Sequence, residues 1–188
     1  MSARRFPRVL AAGFSLIEVL VSMCIVSAGL LALVALTQSA SRQDKMNELR
    51  STATLLAGDV ADRLRANVAG ARLGVGGYDH VSAGWPAPLA PRHAACTRAR
   101  SCAPADLARA DMAAWTVRLR ATLPAGSGWI EYHAATASAG ESADVWVGWR
   151  DPATRADGDA TERPRSECPP EWRGTASSVH CVYLQVGL

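Results

Sequence analysis

Between Phe14 and Leu36 the chain reads FSLIEVLVSMCIVSAGLLALVAL, a stretch of 23 residues with Glu18 as its single charge. A helix needs about 20 predominantly apolar residues to cross the hydrocarbon core of a bilayer. Three arginines lie in the 13 residues before this stretch, and basic flanks favour the cytoplasmic side of a membrane. The stretch therefore predicts a membrane-spanning helix over residues 14–36, with the N-terminus in the cytoplasm.

Glu18 is a charged residue that an ordinary membrane anchor or signal segment would not need. A carboxylate in the centre of a membrane span costs about 2.5–3.5 kcal/mol on insertion scales, so a plain anchor would rarely keep one. A secretory signal would need a shorter apolar region and a small-x-small cleavage site. A cut after Ala40 would instead place Gln38, which is not a small residue, at position −3. In a helix that starts at Phe14, Glu18 lies one turn further along the same face. If the chain were cut before Phe14, the new N-terminal amine would lie one turn from this carboxylate and would stabilise it.

Residues 13–20 read GFSLIEVL, and with the basic leader they resemble the class III signal of type IV prepilins and type II secretion pseudopilins. The resemblance implies that a prepilin peptidase removes residues 1–13 by cutting between Gly13 and Phe14. It also implies that the peptidase methylates the new N-terminal Phe14. Finally, it implies that Glu18 pairs with the N-terminus of a neighbouring subunit during assembly.

After Leu36 the apolar pattern changes from a continuous run to a stripe. Apolar residues recur at spacings of three and four, and charged residues occupy the positions between them. Such spacing is typical of an amphipathic helix with one buried face. We therefore expect residues 37–69 to continue the helix and to pack against a globular domain. The stripe consists of Met46, Leu49, Ala53, Leu56, Val60, Leu64 and Val68.

Residues 70–188 show the alternation of elements that is typical of an α+β head. A Gly- and Pro-rich segment, Gly70 to Pro91, predicts a loop. Pro104 and the acidic residue that follows it suit the first turn of a second helix, which we expect to end at Leu123. Three alternating runs predict strands over residues 129–134, 144–149 and 179–186. We expect a three- or four-stranded antiparallel sheet packed on the long helix, since each needs a covered face.

Four cysteines lie outside the apolar stretch, and an even number there indicates two disulfides in an oxidising compartment. Proximity in sequence favours pairing Cys96 with Cys102 and Cys168 with Cys181, although four cysteines allow three connectivities. A zinc site fits less well because the spacings are not of the CxxC type. Cys24, within the apolar run, is interpreted as a small apolar residue.

Composition and motifs argue against several other classes of function. The net charge of +3 equals the three leader arginines, so the remaining chain is formally neutral and shows no basic stripe for nucleic acid. The four histidines are scattered, with no pattern of a catalytic unit. The Gly74–Gly77 run lacks the context of a phosphate-binding loop, and Asp157–Asp159 lacks the full calcium-loop pattern. We therefore expect no enzyme activity, no cofactor, no metal and no nucleic acid.

The head also resembles the PilV family of minor pilins. The resemblance lies in Cys-x5-Cys, a helix with Asp111 and Trp115, an LPAG turn after that helix, and a strand that ends in WRD. Together with the N-terminal signal it implies a type IV pilin-like fold and a minor pilin that helps to assemble or prime a pilus. The alternatives are a pseudopilin of type II secretion and a membrane-tethered adhesive module.

The same resemblance implies partners and location. The expected partners are the prepilin peptidase, other minor and major pilins, the inner-membrane assembly platform and membrane lipid. Before assembly the chain would span the inner membrane once, with residues 70–188 as a head in the periplasm. After assembly it would lie in the pilus fibre or at its tip.

Overall fold

A computed structural model describes residues 15–81, 85–90, 96, 102–150, 168–173 and 179–188. The chain divides into two compact units, Met1–Lys45 and Met46–Leu188. A long N-terminal helix and a small antiparallel sheet give an α+β arrangement. The predicted fold class is confirmed at this level.

Helix α1 runs over Leu16–Ala66. No proline stands between Pro7 and Pro86, so every residue of this helix keeps its backbone hydrogen-bond donor. The buried residues of α1 all lie in its second part, and they include five of the seven residues of the predicted stripe. They are Leu49, Ala53, Leu56, Ala57, Val60, Ala61 and Leu64.

The helix ends a few residues earlier than the predicted boundary at residue 69. Asn67 has φ −136° and ψ 58°, outside the helical region, and its side chain accepts a hydrogen bond from the Gly70 backbone N–H at 3.1 Å. This cap starts a separate short helix, α2 (Val68–Ala71). The following segment, predicted as a loop, also contains a 3₁₀ turn over Gly74–Gly76.

Helix α3 runs over Pro104–Thr122, with Pro104 at its first turn and Asp106 as the acidic residue there. It ends where Leu123 turns extended, at φ −117° and ψ 137°, because the next residue is Pro124. The prediction of a second helix over residues 104–123 is therefore confirmed. Its buried residues are Ala108, Met112, Ala113, Trp115, Thr116 and Leu119.

Within the residues that the structure describes, three strands form one antiparallel sheet in the order β1-β2-β3. The strands are β1 (Ser127–His133), β2 (Ser142–Arg150) and β3 (Val179–Gly187). Each begins within two residues of its predicted start. A four-residue helix, α4 (Pro170–Arg173), precedes β3. On its outer side β1 also pairs with His80, whose N–H donates to the Ile130 carbonyl at 3.0 Å.

The two faces of the sheet belong to two different apolar clusters. The larger cluster joins the inner face to α3 and to the buried stripe of α1. At its centre the fully buried Trp115 donates from Nε1 to the Leu56 carbonyl at 2.9 Å. The smaller cluster lies on the outer face, where Trp129 and Trp172 pack with the Cys168–Cys181 pair.

Candidate functional site

The apolar part of α1 exposes every large apolar side chain from Leu16 to Leu36. Their exposed fractions run from 44% at Val19 to 79% at Leu16. Among the described residues, α1 is the helix long and apolar enough to cross a membrane, with a mean hydropathy of 2.7 over its most apolar 18 residues. These side chains need an apolar medium, whether lipid or other apolar helices.

Three hydroxyl groups in and next to this segment donate hydrogen bonds to backbone carbonyls of the same helix. Ser22 Oγ donates to the Glu18 carbonyl, Ser27 Oγ donates to the Met23 carbonyl at 2.7 Å, and Thr37 Oγ1 donates to the Val34 carbonyl at 2.9 Å. Such internal bonds leave these groups without a need for water, which suits a helix in an apolar environment.

The Glu18 carboxylate differs from these three hydroxyl groups. It lies in the first turn of α1, where its N–H donates to the Ser15 carbonyl at 3.0 Å. Its side chain is exposed, and no described residue gives the carboxylate a hydrogen bond or an ion pair. The helix N-terminus supplies some favourable field, but the carboxylate has no cationic partner within the described chain. Gly13 and Phe14 lie outside the described residues, so the predicted cut and methylation stay predictions.

In the head, the structure joins Cys168 to Cys181 and Cys96 to Cys102, with Cα–Cα distances of 5.3 Å and 5.7 Å. This is the nearest-neighbour pairing that proximity in sequence favours. Cys168 and Cys181 are both buried, and their bond attaches the segment before α4 to β3. Cys24 is a free, exposed cysteine on α1.

A polar network joins the end of α1 to α3 and to the segment that follows α2. Arg63 Nη1 donates to Asp111 Oδ1 at 2.7 Å, and the Tyr78 hydroxyl donates to Asp111 Oδ2 at 2.6 Å. Asn67 Nδ2 donates to the Pro104 carbonyl at 2.9 Å. Burial, and then the Asp111 carboxylate, raise the pKa of the Tyr78 hydroxyl well above its usual range. The hydroxyl therefore stays a donor at neutral pH.

Arg63 balances two opposite effects. Burial lowers the pKa of its guanidinium, but the hydrogen bonds to Asp111 and Asp59 outweigh burial and raise the pKa overall. The sequence places Asp111 on one row of the second helix and Arg63 on a charged face of the first, but it does not predict that they meet each other and Tyr78. Tyr78 and Arg63 lie 33 and 48 residues from Asp111 along the chain. Contacts over such separations cannot be predicted from local spacing.

The histidines do not converge on one site. His80 lies on the outer edge of β1, His133 is 3.0 Å from Asp144, and His180 is stacked on Trp149 with ring centroids 5.8 Å apart. His93 and the Asp157–Asp159 loop lie outside the described residues. Among the residues that are described, no group of three or more His, Cys, Asp or Glu side chains is arranged to hold a metal ion.

Two features of this chain thus bear on function: an exposed apolar helical segment with a carboxylate that has no partner among the described residues, and a head with two disulfides. Comparisons of the chain with protein-family models, with curated proteins and with solved structures find no match.

Proposed function

We propose that this chain is a minor prepilin of a type IV pilus. A prepilin peptidase would cut it between Gly13 and Phe14 and methylate Phe14. The mature chain would span the inner membrane through residues 14–36 with its head in the periplasm, and would then enter the pilus fibre or its tip. The observation that carries this proposal is Glu18, a carboxylate without a partner among the described residues, in a segment of α1 (Leu16 to Leu36) whose large apolar side chains are all exposed.

The physical argument concerns what would stabilise that carboxylate. An ionised group in an apolar medium needs a cation or a proton. Cleavage before Phe14 would create an amine one helical turn from Glu18, and a neighbouring subunit would supply another. Assembly into a bundle would also cover the exposed apolar side chains with those of neighbouring helices. One geometry would therefore meet both needs of the segment.

The head supports the same location. Its two disulfides suit an oxidising compartment such as the periplasm. The expected partners follow from the proposal: the prepilin peptidase, the assembly platform of the inner membrane, and other minor and major pilins. No step of the proposal requires catalysis, a cofactor or a metal.

The first experiment tests processing. The full chain is co-expressed with a prepilin peptidase, and the mass and N-terminal sequence of the product are determined. We expect a chain that starts at methylated Phe14. Gly13→Leu should leave the leader attached, because a bulky residue blocks the cleavage site. A mature N-terminus at any other residue would contradict the proposal.

The second experiment tests assembly. Glu18→Ala should be cleaved normally but should fail to enter the sheared pilus fraction, because it loses the carboxylate and keeps the cut site. Asp62→Asn removes a charge from the exposed face of the same helix, where the Asp62 side chain is 82% exposed, and should assemble normally. Normal incorporation of Glu18→Ala would refute the pairing argument.

The N-terminal features are shared with pseudopilins of type II secretion, so a deletion strain decides between the two systems. We expect loss or reduction of pili under the electron microscope, with secretion of exoproteins unchanged. Intact pili with failed secretion would instead identify a pseudopilin. Intact pili and intact secretion with lost surface attachment would favour an adhesive module.

A further inference from the structure

The outer face of the sheet is divided into a covered half and an open half. Over the covered half, Trp85 and Trp172 pack edge to face with ring centroids 4.8 Å apart. A Cβ at Gly148 would lie 2.9 Å from atoms of both rings, so only glycine allows this cover to approach β2. Among the described residues, this cover extends along β2 as far as Trp146, which is half-buried against it.

Beyond the cover lies an aromatic pair. Trp146 of β2 stands opposite Tyr183 of β3 in the register, and their ring centroids are 5.0 Å apart at an interplanar angle of 37°. Tyr183 is 45% exposed, yet its hydroxyl donates to Asp144 Oδ1 at 2.8 Å. Partial burial and this carboxylate raise the pKa of Tyr183 to about 12. The pair is therefore a partly exposed aromatic surface whose Tyr183 ring is held in place.

The next row of the same face carries two carboxylates in direct opposition. Glu131 of β1 pairs with Asp144 of β2 in the register, which brings their Cβ atoms within about 4.5–5.5 Å. Like charges in this position destabilise a sheet. His133 Nε2 lies 3.0 Å from Asp144 Oδ2, but Glu131 is exposed and no described residue forms an ion pair with it.

A third carboxylate adds to the negative potential at this edge of the sheet. Asp79 accepts a hydrogen bond from the Tyr132 N–H at 3.0 Å. Burial raises the pKa of Asp79 and the charge of Glu131 raises it further, while the hydrogen bond from the Tyr132 N–H and the charge of His133 lower it. Asp79, Glu131 and Asp144 therefore place three carboxylates on and beside this part of the sheet, where they would attract an external cation.

We propose that the open outer face, formed by Glu131, Asp144, Trp146, Tyr183 and Gln185, binds an arginine side chain on an extended segment of a partner protein. The guanidinium would lie against the Trp146 ring and beside the Glu131 carboxylate. Arginine combines stacking on an aromatic ring with fork-like hydrogen bonds to a carboxylate, which a lysine does not. Charge complementarity selects a cationic partner over a neutral one. This site does not depend on the proposed role in pili.

The binding test uses the full chain in detergent micelles and a fluorescein-labelled peptide, Gly-Arg-Gly-Arg-Gly, with blocked ends. Its control is the same peptide with citrulline at both arginine positions, which keeps the shape and removes the charge. We expect saturable binding by fluorescence anisotropy that weakens with added salt, and at least about tenfold weaker binding of the citrulline peptide. Equal binding of the two peptides, or no binding of either, would overturn the proposal.

Variants locate the site. Glu131→Gln and Trp146→Leu should each weaken binding about fivefold, because one removes a carboxylate and the other removes the aromatic ring. Asp62→Asn, an equal loss of charge on α1, should leave binding unchanged. A purely structural role for Glu131 predicts a lower melting temperature for Glu131→Gln, whereas we expect an equal or higher one because the repulsion is removed. Unchanged binding by Glu131→Gln would place the site elsewhere and refute the assignment.

Discussion

The two parts of helix α1 have the same secondary structure but differ in the burial of their apolar side chains. From Leu16 to Leu36 all the large apolar side chains are exposed, whereas from Leu49 to Leu64 seven residues form a buried stripe. The absence of proline accounts for the continuous helix in both parts. The arrangement of apolar residues decides what each part needs: the first part requires an apolar medium, and the second forms part of the core of the head.

The largest expected effect separates the two parts by their contribution to the stability of the head. Leu64 is fully buried, so Leu64→Ala should lower the free energy of unfolding by about 2–5 kcal/mol through lost burial and the cavity that remains. Chemical unfolding of the detergent-solubilised chain measures this effect. All six tryptophans lie after residue 84, so their fluorescence reports on the head alone.

The matched control is Leu31→Ala in the same helix. Leu31 is 71% exposed, so its truncation should leave the unfolding curve of the head unchanged, within about 0.5 kcal/mol. An equal loss of stability in both variants would mean that both parts of α1 contribute to the stability of the head.

The reverse experiment concerns membrane integration. Leu31→Arg should make insertion of the first part less favourable by up to about 3–4 kcal/mol, since it replaces a favourable residue with a charge inside the apolar run. Alkaline extraction of membranes, with the chain quantified in the pellet, measures the effect. Arg50 shows that the second part of α1 already carries an exposed cation, so Leu55→Arg, at a position 74% exposed, should not change the pellet fraction.

The sequence pattern was sufficient for the parts of the fold that depend on local periodicity. Spacings of three and four identified five buried residues of α1, and alternation located all three strands within two residues of their starts. These features depend on which face of an element needs cover, and that information is local. The apolar run and its single charge, Glu18, were equally evident from composition.

Other features depend on contacts between distant segments and were not predictable. The end of α1 is set by Asn67, whose amide reaches the Pro104 carbonyl 37 residues away. Gly148 appeared only as one residue of a strand, although Trp85 and Trp172 require its lack of a side chain. The opposition of Glu131 and Asp144 follows from the register of two strands, which an alternating pattern specifies only as a face.

The polar network at the end of α1 should contribute less than the core. Tyr78→Phe leaves Asp111 Oδ2 without its donor at a site that is mostly buried, and should cost about 1–3 kcal/mol of unfolding free energy. Tyr183→Phe is the control, because it also removes a hydroxyl bonded to a carboxylate but at an exposed ring. We expect it to cost less than Tyr78→Phe in the same unfolding assay. The opposite ranking would contradict the importance of this network for the second part of α1.

The pH dependence of stability should also arise in the head rather than in the apolar part. Burial lowers the pKa of His80, with the charge of Arg120 acting in the same direction and the hydrogen bond to Pro88 opposing it. The unfolded chain therefore takes up a proton near pH 6.5 while folded His80 stays neutral, so stability should fall as the pH drops below 6.5. His80→Gln should reduce this loss between pH 7 and pH 5.

Asp79 acts in the opposite direction, which makes the difference between wild type and His80→Gln the quantity to measure. Its pKa is raised by burial, so its contribution to stability increases as the pH falls towards 3.8. Subtracting the two unfolding curves at each pH removes this shared contribution. If His80→Gln kept the full loss of stability below pH 6.5, the buried imidazole would not be its cause.

The smallest expected effect tests whether burial determines how much an ion pair of the second part of α1 contributes to the unfolding free energy. Arg65 lies 3.5 Å from Asp62, and their side chains are 53% and 82% exposed, whereas Arg63 lies 2.7 Å from Asp111, which is 16% exposed. Solvent screens the first pair, so Arg65→Ala should change the unfolding free energy by less than about 0.5 kcal/mol. Arg63→Ala should cost about 1–3 kcal/mol, because it leaves Asp111 partly buried without its cation. Equal costs for the two variants, measured by denaturant unfolding at the same salt concentration, would mean that helix propensity rather than pairing dominates at both positions.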